Sequence, residues 1–128
     1  MLPDNDVYPQ STAPLTFWRV QVINHQRCKR WHDPTTEPWT GADWSNAMCG
    51  EAGEAANVVK KLRRHETRTS PQGDPDETTL RAHLADEIAD TLLYAFLLAD
   101  HYDIDVETAV VAKFNRVSER QGFPERLP

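Results

Sequence analysis

Residues 80–99 read LRAHLADEIADTLLYAFLLA, and this stretch determines the fold class. Leucine or isoleucine recurs in it at every fourth position, namely at Leu80, Leu84, Ile88 and Leu92. This spacing is typical of one face of an α-helix. The second half, TLLYAFLLA, is apolar on every side, and a four-helix monomer of this size struggles to cover such a segment. The stretch therefore predicts a packed helical protein in which a partner subunit covers one face.

Helical patterns also occupy most of the chain on either side of this stretch. The predicted helices are residues 15–31, residues 44–64, Thr78–Tyr102 and the segment between Asp105 and Gly122. The predicted N-caps are Asp43, then Asp76 or Thr78, then Asp105, and Gly122 with Pro124 ends the last helix. No segment alternates apolar and polar residues as a strand would. We therefore predict an all-α protein, a four-helix bundle completed by oligomerisation.

The domain organisation follows from the places where turn-forming residues gather. Residues 1–14 contain three prolines and several small polar residues, which predicts a flexible N-terminal arm. Residues 15–122 form the predicted helical domain, and residues 123–128 form a C-terminal tail. Between Glu66 and Glu77 the chain is rich in Pro, Gly, Ser and Thr, which predicts a surface loop that tolerates substitution.

Composition and charge limit the classes of function. A chain of 128 residues is long enough for one hydrophobic core. Fourteen basic against 20 acidic residues give a net charge of −6, which disfavours nucleic-acid binding. We see no signal sequence and no apolar run near the roughly 20 residues that cross a bilayer, so we expect a cytoplasmic protein without a membrane partner. The two cysteines lack metal-binding spacing and are expected as buried thiols.

Two pairs of acidic residues stand at helical spacing. Residues 50–62 read GEAGEAANVVKKL and place Glu51 and Glu54 three positions apart. Glu87 and Asp90 repeat this spacing in the central helix. Each pair therefore lies on one helix face, with Cβ atoms about 5–6 Å apart. Because both faces also carry apolar residues, packing them together would bring four carboxylates into one semi-buried site.

A divalent cation is the simplest compensation for four clustered carboxylates. Without one, each carboxylate would cost roughly several kcal/mol in desolvation or would take up a proton. Oxygen ligands suit Mg²⁺ or Mn²⁺, whereas di-iron bundles use a Glu-x-x-His motif that this sequence lacks. Acid pairs also occur on solvated helix faces, and spacing alone leaves that alternative open.

In the order and spacing of these motifs the chain resembles the MazG-like all-α nucleoside triphosphate pyrophosphohydrolases, which include dCTP pyrophosphatase and dimeric dUTPase relatives. The family pattern is ExxE, often written EExxE or GExGE, followed after a variable loop by ExxD and an apolar run. The matching segments here are Gly50–Glu54, Glu87–Asp90, Thr91–Tyr94, Asp103–Asp105 and Ala112–Asn115. The resemblance covers approximately residues 17–121.

The resemblance implies an activity and a metal centre. Such proteins hydrolyse an NTP or dNTP between the α and β phosphates and require Mg²⁺, for which Mn²⁺ can substitute. The implied metal ligands and catalytic residues are Glu51, Glu54, Glu87 and Asp90, which would hold the metal whose bound water attacks phosphorus. Gly50 stands where many relatives have the first Glu of EExxE, so the general base stays unassigned. The alternatives are a non-catalytic helical module for nucleotide binding or assembly, and a nucleotide sensor.

Substrate-binding residues are predicted from charge, position and the same resemblance. The expected triphosphate ligands are Lys61, Lys113, Arg116, Arg120 and, more loosely, Asn115. The expected base-binding residues are Tyr94, Trp31 and His32. Lys61 shares the acid face of its helix, and Lys113 matches a family lysine. Trp31 and His32 lie where relatives contact the base. The predicted assembly is a homodimer or homotetramer whose neighbouring subunits complete each site.

Overall fold

The computed structural model describes residues 13–32 and 37–128, and within these residues it contains four α-helices and no β-strand. The helices are α1 (Phe17–Trp31), α2 (Gly41–Glu66), α3 (Glu77–His101) and α4 (Val106–Gln121). The prediction of an all-α protein is therefore confirmed. The predicted flexible arm at residues 1–14 lies outside the described residues except for its last two positions.

The helices are divided between two compact units. One unit, residues 39–95, contains α2 and α3 as far as Ala95, and we call it the acidic unit. The described part of the other contains α1, α3 from Phe96 onward, α4 and the C-terminal tail, and we call it the terminal unit. Both acid pairs belong to the acidic unit.

α2 begins with a reciprocal capping box. Thr40 is the N-cap, and its Oγ1 accepts a hydrogen bond from the Asp43 backbone N–H at 3.3 Å. The Asp43 carboxylate in turn accepts one from the Thr40 N–H at 2.8 Å, and the hydrogen bonds from Thr40 lower the pKa of Asp43. The prediction of Asp43 as N-cap is therefore wrong. α2 starts at Gly41 rather than Trp44, because the box adds almost one turn.

The other predicted caps are confirmed. At the start of α3, Asp76 Oδ1 accepts a hydrogen bond from the Thr79 N–H at 2.7 Å, and this bond is the main cause that lowers the pKa of Asp76. At the start of α4, Asp105 Oδ1 accepts one from the Thr108 N–H at 3.2 Å. α4 ends at Gly122, whose φ of +71° is left-handed and suits glycine because it has no Cβ.

The loop between α2 and α3 is tied to the end of α2. The Arg64 guanidinium forms an ion pair with Asp74 at 2.8 Å, and both side chains are largely buried. His65 Nε2 lies 2.9 Å from the Pro75 carbonyl oxygen. We therefore expect substitution of Asp74 to be costly, whereas Pro75 takes part only through its backbone carbonyl. Of the two cysteines, Cys28 is half-buried and Cys49 is exposed, so only the first approaches the expected buried thiol.

α2 and α3 lie antiparallel within the acidic unit. Trp44 near the start of α2 and Tyr94 late in α3 have ring centroids 6.3 Å apart. Nearer the connecting loop, Val58 and Leu80 are buried, with exposed fractions of 7% and 1%. Burial of such a side chain contributes about 1.5–3 kcal/mol. Trp44 and Glu51 on α2 therefore face Tyr94 and Glu87 on α3.

A buried glutamine connects α1 to the α3–α4 turn within the terminal unit. The Gln21 side chain is 2% exposed, and its Nε2 donates to Asp100 Oδ1 at 2.6 Å and to the Ile104 carbonyl oxygen at 2.8 Å. Its Oε1 accepts from the Val106 N–H at 3.0 Å. Each such bond contributes about 1 kcal/mol net, and losing the amide would leave buried partners unsatisfied. Gln21 thus holds the turn and the start of α4 against α1.

Asp100 is incompletely satisfied in this network. Its side chain is 5% exposed, and Oδ2 has no hydrogen-bond partner among the described residues, although His25 Nδ1 lies 3.5 Å from it. Burial raises the pKa of Asp100, while the hydrogen bond from Gln21 and the neighbouring His25 oppose that rise. An ionised Asp100 therefore destabilises the folded state relative to its protonated form.

Replacing Asp100 with Asn keeps an acceptor for Gln21 and removes the buried charge. With a folded-state pKa above its unfolded value, Asp100 favours folding while protonated and loses that contribution as the pH rises above about 4 through the folded-state pKa. We therefore expect Asp100→Asn to be at least as stable as the wild type at about pH 8. We also expect it to lose less stability than the wild type as the pH rises from about 4 to about 8. Urea unfolding followed by circular dichroism measures both.

Glu125→Gln is the matched control. Glu125 is exposed and is not among the groups that shift the pKa of Asp100, so the variant removes one negative charge without touching the buried network. Its unfolding should keep the wild-type pH dependence. If Asp100→Asn were less stable than the wild type by more than about 1 kcal/mol at pH 8, the Asp100 charge would be stabilising and the interpretation wrong.

Candidate metal and nucleotide site

Three carboxylates of the acidic unit converge between α2 and α3. One oxygen each from Glu51, Glu87 and Asp90 lies within 4.8 Å of the other two. Glu51 and Glu87 are partly buried, whereas Asp90 is exposed. α2 supplies the first carboxylate, and α3 supplies the other two from adjacent turns of one face. We call these three residues the carboxylate cluster.

The carboxylate cluster is electrostatically unfavourable by itself. Desolvation, a side-chain hydrogen bond with Glu87 and the nearby negative charges together raise the pKa of Glu51. A hydrogen bond between two carboxyl groups needs a proton on one of them, since two ionised carboxylates offer only acceptors. The cluster therefore takes up either a proton or a cation.

The donor set of the cluster fits a hard divalent cation. Three carboxylate oxygens within 4.8 Å of one another are close enough that small side-chain rotations would let them share one divalent cation. The exposed position of Asp90 leaves coordination sites open for water and phosphate oxygens. Carboxylate oxygens suit Mg²⁺ and Mn²⁺ alike, so these residues could hold either ion.

The fourth predicted ligand, Glu54, lies outside the cluster. It is exposed, one turn of α2 beyond Glu51, and its charge contributes to the raised pKa of Glu51. The structure thus brings together three of the four predicted acids. At Gly50, the residue before Glu51, a side chain would have open space, since no atom outside the local helix backbone lies within 4 Å of the point that a Cβ would occupy.

Aromatic side chains line the same pair of helices at the end nearest the start of α2. The rings of Trp39 and Trp44 have centroids 4.5 Å apart, and Trp44 also approaches Tyr94. Tyr94 is one of the predicted base-binding residues and lies one turn beyond Asp90. The sequence also offers Trp39 and Trp44 for stacking, and Trp44 stands two turns before Glu51 on one face. Neither is among the predicted site residues, because an aromatic at helical spacing more often belongs to a core.

Lys61 lies at the other end of this face. It is partly buried and stands two turns beyond Glu54 on the same stripe of α2. Among the described residues no ion pair involving Lys61 is found. Its ammonium group is therefore available to an anionic ligand.

The remaining predicted site residues belong to the terminal unit. They are Trp31, His32, Lys113, Asn115, Arg116 and Arg120. Trp31 is 77% exposed, and the Arg27 guanidinium lies 5.6 Å from its ring centroid. Asn115 Nδ2 donates to the Leu127 carbonyl oxygen at 2.9 Å, and its Oδ1 accepts from the Leu127 N–H at 2.7 Å. Asn115 therefore holds the C-terminal tail in this structure.

Comparison with known proteins identifies the class to which this chain belongs. The sequence profile of the MazG nucleotide pyrophosphohydrolase domain matches residues 42–122, a region that contains both acid pairs. The chain is therefore a member of the MazG nucleotide pyrophosphohydrolase family.

A curated relative lies within the same class. Mouse (Mus musculus) dCTP pyrophosphatase 1 is 33% identical over 81 residues, which is 63% of this chain and 44% of the mouse protein. The match thus spans less than half the length of that relative. No solved structure matches the chain significantly. None of the helices in residues 13–32 and 37–128 is long and apolar enough to cross a bilayer.

Mg²⁺ should stabilise the protein through the carboxylate cluster. A ligand at ten times its Kd that binds only the folded state adds about 1.4 kcal/mol to the free energy of unfolding. For a chain of this size that raises Tm by about 5 °C. We expect this rise with Mg²⁺ or Mn²⁺ in a thermal melt of the wild type and its loss in Glu87→Gln. In EDTA, Glu87→Gln should melt at or above the wild-type temperature, because it removes a repulsive charge.

Glu77→Gln is the matched control for this melt. Glu77 is exposed on the same helix as Glu87 but lies about 15 Å along the helix axis from it and pairs with Arg81. The control should keep the full response to Mg²⁺. An unchanged response of Glu87→Gln would place the cation elsewhere.

Proposed function

We propose that this protein hydrolyses nucleoside triphosphates between the α and β phosphates, releasing a monophosphate and pyrophosphate in the presence of Mg²⁺. The observation that carries the proposal is the carboxylate cluster, Glu51, Glu87 and Asp90, in a chain of the MazG family. The mouse relative is named a dCTP pyrophosphatase, which makes dCTP the first substrate to test.

The three cluster residues would hold the cation that positions the triphosphate. Glu51 and Glu87, being partly buried, would fix the place of the cation, while the exposed Asp90 faces the side from which the substrate enters. When bound, Mg²⁺ would neutralise phosphate oxygens and make water a better nucleophile. Glu54 would join the cluster as a fourth ligand after a change of rotamer. Charge neutralisation and orientation would supply most of the rate acceleration.

The aromatic side chains beside the cluster are suited to binding a base. Trp39 is 38% exposed, so part of its indole face is accessible, while Trp44 behind it is buried. A base stacked between Trp39 and Tyr94 would gain apolar contact and ring stacking. This end of the acidic unit is our proposed base subsite.

The terminal unit supplies the remaining proposed contacts. Lys113, Arg116 and Arg120 are exposed on one side of α4 and would bind phosphate oxygens, and Trp31 with His32 would contact the base. Asn115 could bind substrate only by releasing Leu127. We propose residues 15–122 as the helical domain and residues 123–128 as its tail.

A homodimer or homotetramer is the assembly that we propose. Val59 of α2 and Ile88 and Leu92 of α3 are 48%, 50% and 52% exposed. Helix periodicity places these three on the side of the α2–α3 pair opposite Glu54 and Asp90. Burying this apolar side against a second copy would recover hydrophobic free energy of about 25 cal/mol per Å².

Light scattering at micromolar concentration tests the assembly. We expect a mass of at least twice the 14.6 kDa chain for the wild type and a shift toward the monomer for Leu92→Glu, because a carboxylate would be buried. The exposed Glu77→Lys, one of a surface pair with Arg81, should leave the mass unchanged. A monomeric wild type would contradict the proposal.

The activity is tested by separating the products of dCTP, dUTP and the other nucleotides after incubation with Mg²⁺. We expect monophosphate and pyrophosphate, and at least about a hundredfold loss of kcat in Glu87→Gln, since removing one ligand charge weakens transition-state stabilisation. The variant should keep its helical circular dichroism.

Other outcomes have distinct meanings. Diphosphate and orthophosphate as products would refute the proposed bond. Saturable binding of a non-hydrolysable triphosphate without turnover of any nucleotide would indicate the non-catalytic module or sensor, for which the exposed Glu54 and the glycine at position 50 would be the structural reasons.

A further inference from the structure

We propose that His83 and Lys61 bind the pyrophosphate end of the substrate, so that the nucleotide lies along the α2–α3 pair with its base at the Trp44 end. The proposal rests on the function proposed above and adds the orientation of the substrate along the two helices. It also adds His83, a residue that neither the acid motifs nor the cluster includes.

His83 shares the helix face of the α3 acids. It stands one turn before Glu87 and two turns before Asp90, and helix periodicity places it between these two residues around the α3 axis. The side chain is exposed, and among the described residues no hydrogen bond or ion pair of His83 is found. Its imidazole is therefore free to donate a hydrogen bond to a ligand on this face.

Because α2 and α3 are antiparallel, counting residues identifies the α2 residue that lies opposite His83. Trp44 contacts Tyr94, and Glu51, seven residues further along α2, meets Glu87, seven residues earlier in α3. Ala55 is four residues after Glu51 in α2, and His83 is four residues before Glu87 in α3, so these two residues lie opposite each other. Ala55 directly follows Glu54. His83 thus lies one turn from the cluster, on the side away from the aromatic residues.

Lys61 continues the same line on α2. It stands two turns beyond Glu54, and a helical side chain leans toward the N-terminus of its helix, so the ammonium group is directed back toward the cluster. For antiparallel helices, the stripes that carry Glu54 with Lys61 and Asp90 with His83 border the same side of the groove. The four side chains therefore line one open edge.

Charge fixes the direction in which a triphosphate can lie. Every Lys, Arg and His of the acidic unit falls between residues 60 and 83, which is the end near the connecting loop. The aromatic end has no cation of this unit and carries the exposed carboxylate of Asp43. Within the acidic unit, a β,γ-diphosphate extending toward Trp44 would meet the Asp43 carboxylate and no cation, whereas one extending toward His83 would meet donors that compensate its charge.

Calorimetry with pyrophosphate and Mg²⁺ tests the proposal without requiring turnover. We expect His83→Gln and Lys61→Gln each to weaken pyrophosphate binding about tenfold, the effect of one lost hydrogen bond to a charged group. His83→Arg and Lys61→Arg should keep most of the affinity because they keep a donor. Lys60→Gln, next to Lys61 but on the opposite face of α2, should bind as the wild type does.

Product inhibition tests the orientation of the bound nucleotide. In the same variants the inhibition constant of pyrophosphate should rise about tenfold while that of the nucleoside monophosphate stays unchanged. Equal effects on both products, or an effect on the monophosphate alone, would overturn the orientation. So would wild-type binding of pyrophosphate that neither glutamine variant weakens, or no binding at all. Failure of the proposed function is distinguishable, because it would appear as absent turnover whatever the calorimetry shows.

Discussion

Mutual repulsion among three carboxylates is the constraint on which this structure depends. α2 and α3 bury apolar residues against each other, yet their meeting faces also bring Glu51, Glu87 and Asp90 within 4.8 Å. Hydrophobic burial supplies the free energy that holds these charges together. A bound divalent cation would reverse the sign of the electrostatic contribution, so the packing that costs stability in the free protein would preorganise the proposed site for a metal and its phosphate ligand.

Helix ends and polar connections position this pair of helices. The Thr40–Asp43 box sets the start of α2, which brings Trp39 and Trp44 into contact at one end of the site. The Arg64–Asp74 ion pair restrains the loop at the other end. In the terminal unit Gln21 performs a similar task for the α3–α4 turn. Local hydrogen bonds thus determine the backbone positions from which the functional side chains extend.

Much of the fold could be predicted because periodicity and caps identify helices from local sequence. The four helices, the Asp76 and Asp105 caps and the glycine stop of α4 all follow from local rules. Glu54 and Asn115 could not be placed in this way, since their roles depend on rotamers and tertiary partners. Glu54 shares a face with Glu51 yet stays in solvent, and Asn115 binds Leu127, twelve residues away. Thr40 was not predicted as the N-cap of α2 because Asp43, three residues later, is an equally plausible capping residue.

The open surroundings of Gly50 bear on how such a site can change over generations. A side chain there would meet no atom within 4 Å at its Cβ, and replacing a helical glycine gains about 0.5–1 kcal/mol of helix propensity. A change of this one codon to Glu would therefore add an acid beside the cluster at little steric expense. The reverse substitution is equally simple. Position 50 can therefore differ readily between proteins of this fold.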